Sequence, residues 1–406
     1  MGALTKEFRK ISLVIFDRFI RTSGNPDEAR LLAQASIAMP KDRTVVVVDS
    51  DLAYGNARAL ALDLNKTLED GEILFIAYDD QGLAWAAENG ISASKFSTKA
   101  SEENAELWNA LIRACVSIYD THNWWRTRDQ LMLRSLLEGS FKIQLWHGAT
   151  GPVGKTFGLE RLNTAKTFWH FSAVATSSHG FDVLVNEPKQ AEYRRTRSML
   201  AAKSIHDVEY RLVEPLTNGR WEKPDNVRLL IAPTYSESVE GEDALAEWIK
   251  EVAAVAKLKN WEIDIALHPG SKPRVSKLLT KVAGKKSFIQ KISTRELQNY
   301  SAVITDFSGI AHDSLLCGVP TVSVLIDFEN YSSLCPSLID DEQMKCAYVV
   351  NKISELKSTL EAAILDDPLS QLRADYVESV MREIGALPGV NTREAVFVAL
   401  GDLRNS

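Results

Sequence analysis

The sequence predicts an α/β protein of two doubly wound, parallel-sheet domains facing a cleft, preceded by an N-terminal helical segment. Short apolar runs rich in β-formers alternate with helix-like stretches, and the runs lack the polar alternation of half-exposed strands, as buried parallel strands do. The alternation lapses in a polar, weakly patterned stretch over residues 202–226 and then restarts, which implies two βα series rather than one. At 406 residues the chain is long enough to give each series its own core. The expected boundaries are a helical segment over 1–40, a first domain over 41–205, and a second over 206–406 that includes closing helices.

The first series comprises Val45 to Val48, Ile73 to Ala77, Cys115 to Tyr119, Phe141 to Leu145 and Ala173 to Ala175. The second comprises Arg228 to Ala232, Glu262 to Ala266, Ala302 to Thr305 and Thr321 to Leu325. Helices from Pro368 to Leu403 close the chain, with a return to the first domain open to them. At the other end, Phe8, Ile11, Ile15 and Phe19 would line one helical face, while Lys6, Arg9, Lys10, Arg18 and Arg21 outnumber Glu7 and Asp17. Over residues 5–22 this leaves two readings: peripheral contact with an anionic membrane surface, or packing on the protein's own body.

Composition narrows the function classes. A net charge of −7 argues against a nucleic-acid partner, which would normally meet a basic surface. Cys115, Cys317, Cys335 and Cys346 show no metal-ligand spacing and read as reduced thiols. No apolar run reaches the ~18 residues of a membrane span, and no signal-peptide core with a cleavage site opens the chain. The expectation is a cytoplasmic enzyme, with the inner face of the cell membrane as its surface if residues 5–22 anchor it.

Polar groups gather where the strands end. Phe141 to Trp146 gives way to His147-Gly148, Ile263 to Leu267 to His268-Pro269, and Ser301 to Thr305 to Asp306-Phe307-Ser308-Gly309. Open α/β sheets bind ligands at the carboxyl ends of their strands, and histidine is the side chain whose ordinary pKa suits a base near neutrality. A single histidine in such a place is as well explained by a structural hydrogen bond. Three polar strand ends together favour a site. The stretch from Ile310 to Cys317 reads as a helix, so Ser308 and Gly309 would stand at its first turn, where free N–H groups and the helix dipole favour a phosphate. Plain N-capping by Ser308 explains the serine equally well. Asp313 in the same turn could orient a ligand hydroxyl or favour the dipole. A competing motif, Ala149 to Thr156, fits a relaxed P-loop ending in Lys155-Thr156. The strict pattern wants glycine at 149, and Pro152 removes an N–H from a loop that should supply them.

These residues resemble the CDP-glycerol/CDP-ribitol poly(alditol phosphate) transferases, which build teichoic acids and related capsular polymers. Trp146-His147-Gly148 with Lys155 and Gly158 is similar to the family's Trp-His-Gly segment, and His268-Pro269 to its His-Pro element. Val303 to Asp313 and on to Pro320 resembles its Ile-Thr-Asp-Tyr-Ser-Ser…Asp…Pro signature, and Asp327 to Tyr331 the acidic-aromatic run after it. Gly55 to Leu60 and Ala232 to Tyr235 are weaker echoes. Gly309 stands for the usual second serine, Ser236 for a common arginine, and Pro215-Leu216-Thr217-Asn218 lacks the family's arginine.

The resemblance implies a GT-B-like enzyme that moves glycerol phosphate or ribitol phosphate from a CDP-alditol donor to a hydroxyl of a polymer or lipid-linked primer, releasing CMP. The first domain would face the acceptor and the second would bind the donor. His147 is the candidate general base and His268 its catalytic companion; Lys155, Ser308 and Gly309 would hold phosphates, and Asp313 and Glu329 donor hydroxyls. Neither a metal nor a cofactor is called for. The alternatives are a GT-B glycosyltransferase using a nucleotide sugar, a non-catalytic nucleotide-binding protein and, more remotely, a P-loop NTPase.

Overall fold

The computed structural model describes residues 26–50, 55–98, 102–120, 128–146, 153–155, 181–188, 203–234, 239–267, 277, 280, 288–289, 292–326, 328–329, 337–339 and 341–402. The chain divides into two compact units. Met1–His147, Phe157–Arg211 and Gly389–Ser406 form the first; Gly148–Thr156 and Leu212–Pro388 form the second.

The first eight strands in chain order are β1 (Val45–Val48), β2 (Ile73–Ala77), β3 (Ala93–Lys95), β4 (Val116–Tyr119), β5 (Phe141–Gln144), β6 (Val153–Lys155), β7 (Val183–Asn186) and β8 (Lys203–His206). All but β6 build the first unit's sheet, in the order β3-β2-β1-β4-β5-β7-β8, with every pair parallel. β1 lies in its interior, beside the central β4, because four consecutive valines, stiff at χ1, suit a strand buried on both faces. Its Val45 pairs with Ile73 on one side and Val116 on the other. Leu107, Leu111, Leu133 and Leu136 from the flanking helices, with Leu137 just beyond, pack with Val46, Val48 and Ile76.

Both ends of the described chain are tied to this unit. The helix Pro26–Ala38 packs on the helix Arg128–Leu136, where the Ser36 hydroxyl donates to the Leu136 carbonyl at 2.7 Å. The C-terminal helix Val390–Asp402 is anchored by Asp207, just beyond β8. Its carboxylate accepts from the Gly389 and Thr392 N–H groups at 2.8 and 2.9 Å and from the Thr392 hydroxyl at 2.7 Å. A buried carboxylate at a helix N-terminus satisfies donors that the helix itself cannot.

The second unit's larger sheet uses β9 (Arg228–Ile231), β10 (Glu262–Ala266), β11 (Phe288–Ile289), β12 (Ala302–Thr305), β13 (Thr321–Val324) and β15 (Tyr348–Val350). They run in the order β11-β10-β9-β12-β13-β15, again all parallel. The remaining strand, β14 (Ser337–Ile339), pairs antiparallel with β6. The 21-residue helix Val239–Lys259 covers the main sheet because Leu245, Trp248, Ile249, Val252, Val255 and Ala256 recur at helical spacing and face Ile231, Ile265 and Val324 in one core.

The two parallel sheets are those of the predicted GT-B-like class. Eight of the nine expected strands occur within a residue of their predicted ends, and Ala173–Ala175 lies outside the described residues. The stretch over 202–226 nevertheless holds the edge strand β8 and the short helix Val213–Thr217; β8 is largely exposed, so it lacks the apolar pattern that would announce it. The P-loop reading fails on geometry. Gly154 and Lys155 pair with Leu338 and Ser337 in an extended ladder, whereas a P-loop curls around phosphate and leads into a helix. Among the described residues no helix is long and apolar enough to cross a membrane. Residues 5–22 lie outside the described chain.

Candidate active site

A doubly wound sheet opens a crevice beyond the carboxyl ends of its strands, at the point where the strand order reverses direction. In the second unit that point falls between β9 and β12. There Asp306, the residue after β12, bridges the two strand ends: its Oδ1 accepts from the Thr234 N–H beyond β9 at 2.7 Å and from the Phe307 N–H at 2.6 Å. Burial outweighs these bonds and pushes the Asp306 carboxyl up to about 6.

Asp306 thereby sets the turn that carries Ser308 and Gly309. The helix Ile310–Leu316 starts immediately after, with Gly309 at its N-cap and the Ser308 and Gly309 carbonyls accepting from Ala311 and His312 at 3.1 and 3.0 Å. Gly309 has φ −60° and ψ −18°, a conformation open to any residue. Its use to a ligand is therefore the missing side chain, not backbone freedom. The Ser308 hydroxyl reaches only 3.5 Å from the Ile310 N–H, and Gly309 contributes no side-chain cap. Asp313 is buried at 2% exposure, one turn inside the helix. Glu329 is exposed beyond β13, and the Phe307 and Phe328 rings, 6.3 Å apart, bring its segment beside the Ser308 turn. Ser308, Gly309 and Glu329 thus share one edge of one sheet, with Asp313 beneath. Leu267 directly follows the neighbouring β10 on that edge. His268 follows it in sequence and lies outside the described residues.

In the first unit the reversal falls between β1 and β4, and buried polar side chains collect there. Asp49, after β1, forms a two-pronged pair with Arg58, at 2.8 Å to Nε and 2.7 Å to Nη2. Asp120, after β4, accepts from the Ala57 N–H through Oδ2 at 3.1 Å, while its buried Oδ1 has no hydrogen-bond partner. Desolvation pushes this carboxyl up to about 7. Asn56, fully buried at the start of the helix Asn56–Leu64, donates to the Trp146 carbonyl at 3.0 Å and accepts from the Arg211 N–H at 3.0 Å. Trp146 itself adopts φ +64°, a left-handed backbone unusual for a bulky residue. The turn leading to His147 is therefore held by Asn56 in a conformation that tryptophan does not favour. His147 lies outside the described residues, and Lys155 sits on β6 in the second unit.

By sequence Asp306 stands out only as part of a polar strand end and Asn56 only within the weak Gly55 to Leu60 echo, while Asp120 does not stand out. Their signal was present: two acids directly after four-residue apolar strands, and an amide directly after a glycine that opens a helix.

The family model described as CDP-Glycerol:Poly(glycerophosphate) glycerophosphotransferase matches residues 31–383. The chain belongs to that family. It is accordingly a CDP-glycerol glycerophosphotransferase-type enzyme. No curated protein sequence matches it significantly. Among solved structures, the wall teichoic acid polymerase TagF superposes with a TM-score of 0.62 at 14% identity, covering 99% of this chain and 98% of that one. A histidine-to-asparagine variant of TagF soaked with CDPG gives 0.60 at 13% identity, with the same coverage. A Listeria monocytogenes protein described as a UDP-N-acetylglucosamine 2-epimerase gives 0.50 at 12% identity, covering 83% of this chain and 91% of that one. At these identities the superpositions speak for the fold, and the family assignment rests on the sequence model.

Proposed function

We propose that this glycerophosphotransferase transfers glycerol phosphate from CDP-glycerol to a hydroxyl of a teichoic-acid-like or capsular polymer, or of a lipid-linked primer, and releases CMP. The observation that carries the reading is the family match through residues 31–383, joined to a strand-end turn in which Asp306 fixes Ser308 and Gly309 beside Glu329. The acceptor oxygen attacks the phosphorus that bears the glycerol. A new P–O bond forms, the bond from that phosphorus to the bridging oxygen of the diphosphate breaks, and CMP leaves with the electron pair. Little covalent help is needed, so positioning and charge stabilisation dominate.

In this reading His147 takes the acceptor proton, while His268, Lys155 and the N–H groups around Ser308 and Gly309 stabilise the diphosphate. Glu329, being exposed, contacts a donor hydroxyl directly, and Asp313 supports the turn from below. The first unit serves the acceptor and the second the donor. Residues 5–22 would bring the enzyme to the inner face of an anionic membrane carrying the primer.

Chromatography of nucleotide products after incubation with CDP-glycerol, CDP-ribitol and UDP- or GDP-sugars, each with a primed acceptor, tests the assignment. CMP released in step with polymer growth is expected. UDP or GDP released from a sugar donor, with both CDP-alditols inert, would overturn it. His147→Ala should lower turnover about 100-fold or more while donor affinity stays within a few-fold.

A further inference from the structure

The side-chain amide of Asn56 meets two backbone groups of opposite kind on the edge where β1, β4 and β5 end. Nδ2 donates to the Trp146 carbonyl, and Oδ1 accepts from the Arg211 N–H, each at 3.0 Å. A flipped amide would set oxygen against carbonyl and N–H against N–H, so these partners fix its orientation. Nδ2 also lies 3.4 Å from Glu209 Oε2, and the adjacent Ala57 N–H is taken by Asp120. Helix capping does not account for the residue. Gly55 holds the N-cap position, and both ends of the Asn56 amide turn to segments 90 and 155 residues away.

Both gripped residues stand at exits, since the chain leaves the first unit after His147 and again after Arg211. The Trp146 carbonyl belongs to the peptide unit shared with His147. That unit is planar, so holding its oxygen fixes the plane from which the chain departs. The grip opposes a real tendency: Trp146 at φ +64° occupies a region that a bulky side chain avoids, and such a conformation persists only where its surroundings enforce it. We infer that Asn56 is a positioning residue for the transfer reaction, fixing the Trp146–His147 peptide so that the base at 147 meets the acceptor hydroxyl. The inference rests on His147 being that base. Donor affinity is independent of Asn56, because Ser308, Gly309 and Glu329 belong to the second unit.

Asn56→Asp in the full chain is the test, because a protonated carboxyl repeats the amide's pattern, O–H towards Trp146 and C=O towards Arg211. Once ionised, it sets an acceptor against the Trp146 carbonyl and a charge beside Glu209. Arg211, paired with Glu209 at 2.9 Å, and Asp120 are the other charged groups close by. Burial and Glu209 therefore raise the introduced carboxyl's pKa. Measured against wild type at each pH, kcat of Asn56→Asp should be near parity at about pH 6 and lower by about tenfold or more at about pH 8.5, with KM for CDP-glycerol within about threefold. Asn56→Ser adds no charge and is the second variant, in case the ionised form unfolds. Its hydroxyl is too short to span both partners, so kcat should fall about tenfold at every pH, again without a change in donor KM. In a His147→Ala background neither substitution should cost further turnover. Circular dichroism and urea unfolding at each pH confine the comparison to folded protein. Folded variants with kcat within about twofold of wild type at about pH 8.5 would make Asn56 a purely structural residue and overturn the inference, as would an equal loss in the His147→Ala background. Both results leave the base assignment standing, whereas full turnover in His147→Ala itself would sink that assignment and this inference with it.

Discussion

Replacing Asp120 with asparagine should flatten the pH dependence of stability. The folded protein keeps this carboxyl protonated up to about pH 7, because burial at 1% exposure outweighs the hydrogen bonds from the Ala57 N–H and the Ser50 side chain. The unfolded chain releases the same proton near the ordinary 3.8. The native state thus binds more protons between those values, so stability falls as pH rises through them and levels off above pH 7. At about 1.4 kcal/mol per pH unit, carrying the pKa from 3.8 to about 7 corresponds to about 4 kcal/mol. Asparagine keeps an oxygen for the Ala57 N–H but puts an amide where Oδ1 now lacks a partner, at a cost of about 1–3 kcal/mol that does not vary with pH. Urea unfolding of wild type and Asp120→Asn at pH 4.5, 6, 7 and 8 isolates the contribution as a difference. The variant should gain on wild type by about 2–4 kcal/mol between the lowest and highest pH. A difference that stays constant across that range would show that the buried carboxyl titrates normally, and the reasoning would fail.

Three further outcomes follow from the geometry. Asp207→Ala should release the helix Val390–Asp402, costing about 2–4 kcal/mol, with faster hydrogen exchange over residues 389–402 than over β1; equal protection in wild type and variant would contradict the latch. Gly139→Ala should destabilise the first unit by about 1–3 kcal/mol, because a Cβ there would lie 2.3 Å from the Ser36 carbonyl oxygen; thermal unfolding unchanged from wild type would contradict that contact. With Lys155 on a strand, the purified protein should show no Mg²⁺-dependent ATP or GTP hydrolysis, and Lys155→Ala none to lose; robust hydrolysis abolished by that variant would reinstate the P-loop.

The central strands were legible because burial on both faces leaves a continuous apolar run, as in Val45–Val48 and Ala302–Thr305. The edge strands were not. Ala93–Lys95 is half-buried and Lys203–His206 largely exposed, and short mixed sequences carry no period. The same physics separates the site residues. Ser308 and Gly309 stood out because helix starts carry recognisable chemistry, whereas the importance of Asp120 and Asn56 comes from partners far along the chain. Asn56 meets Trp146 and Arg211 across 90 and 155 residues of sequence, a relation that only tertiary structure creates. Nor does a three-residue strand, Val153–Lys155, announce that it will pair with Ser337–Ile339.

That pairing has a consequence for anyone who would take the enzyme apart. The chain passes from one unit to the other after His147, returns after Thr156, crosses again after Arg211 and comes back after Pro388. No single cut in the gene therefore yields two complete halves. A fragment ending near residue 211 lacks the helix that Asp207 fastens, and one starting there lacks β6, leaving β14 without its described partner. Co-expressed fragments would have to trade segments to rebuild themselves. Swapping a donor-binding half between relatives would likewise require two grafts in register, the large block over 212–388 and the nine-residue excursion over 148–156, with the terminal helix left to its original owner.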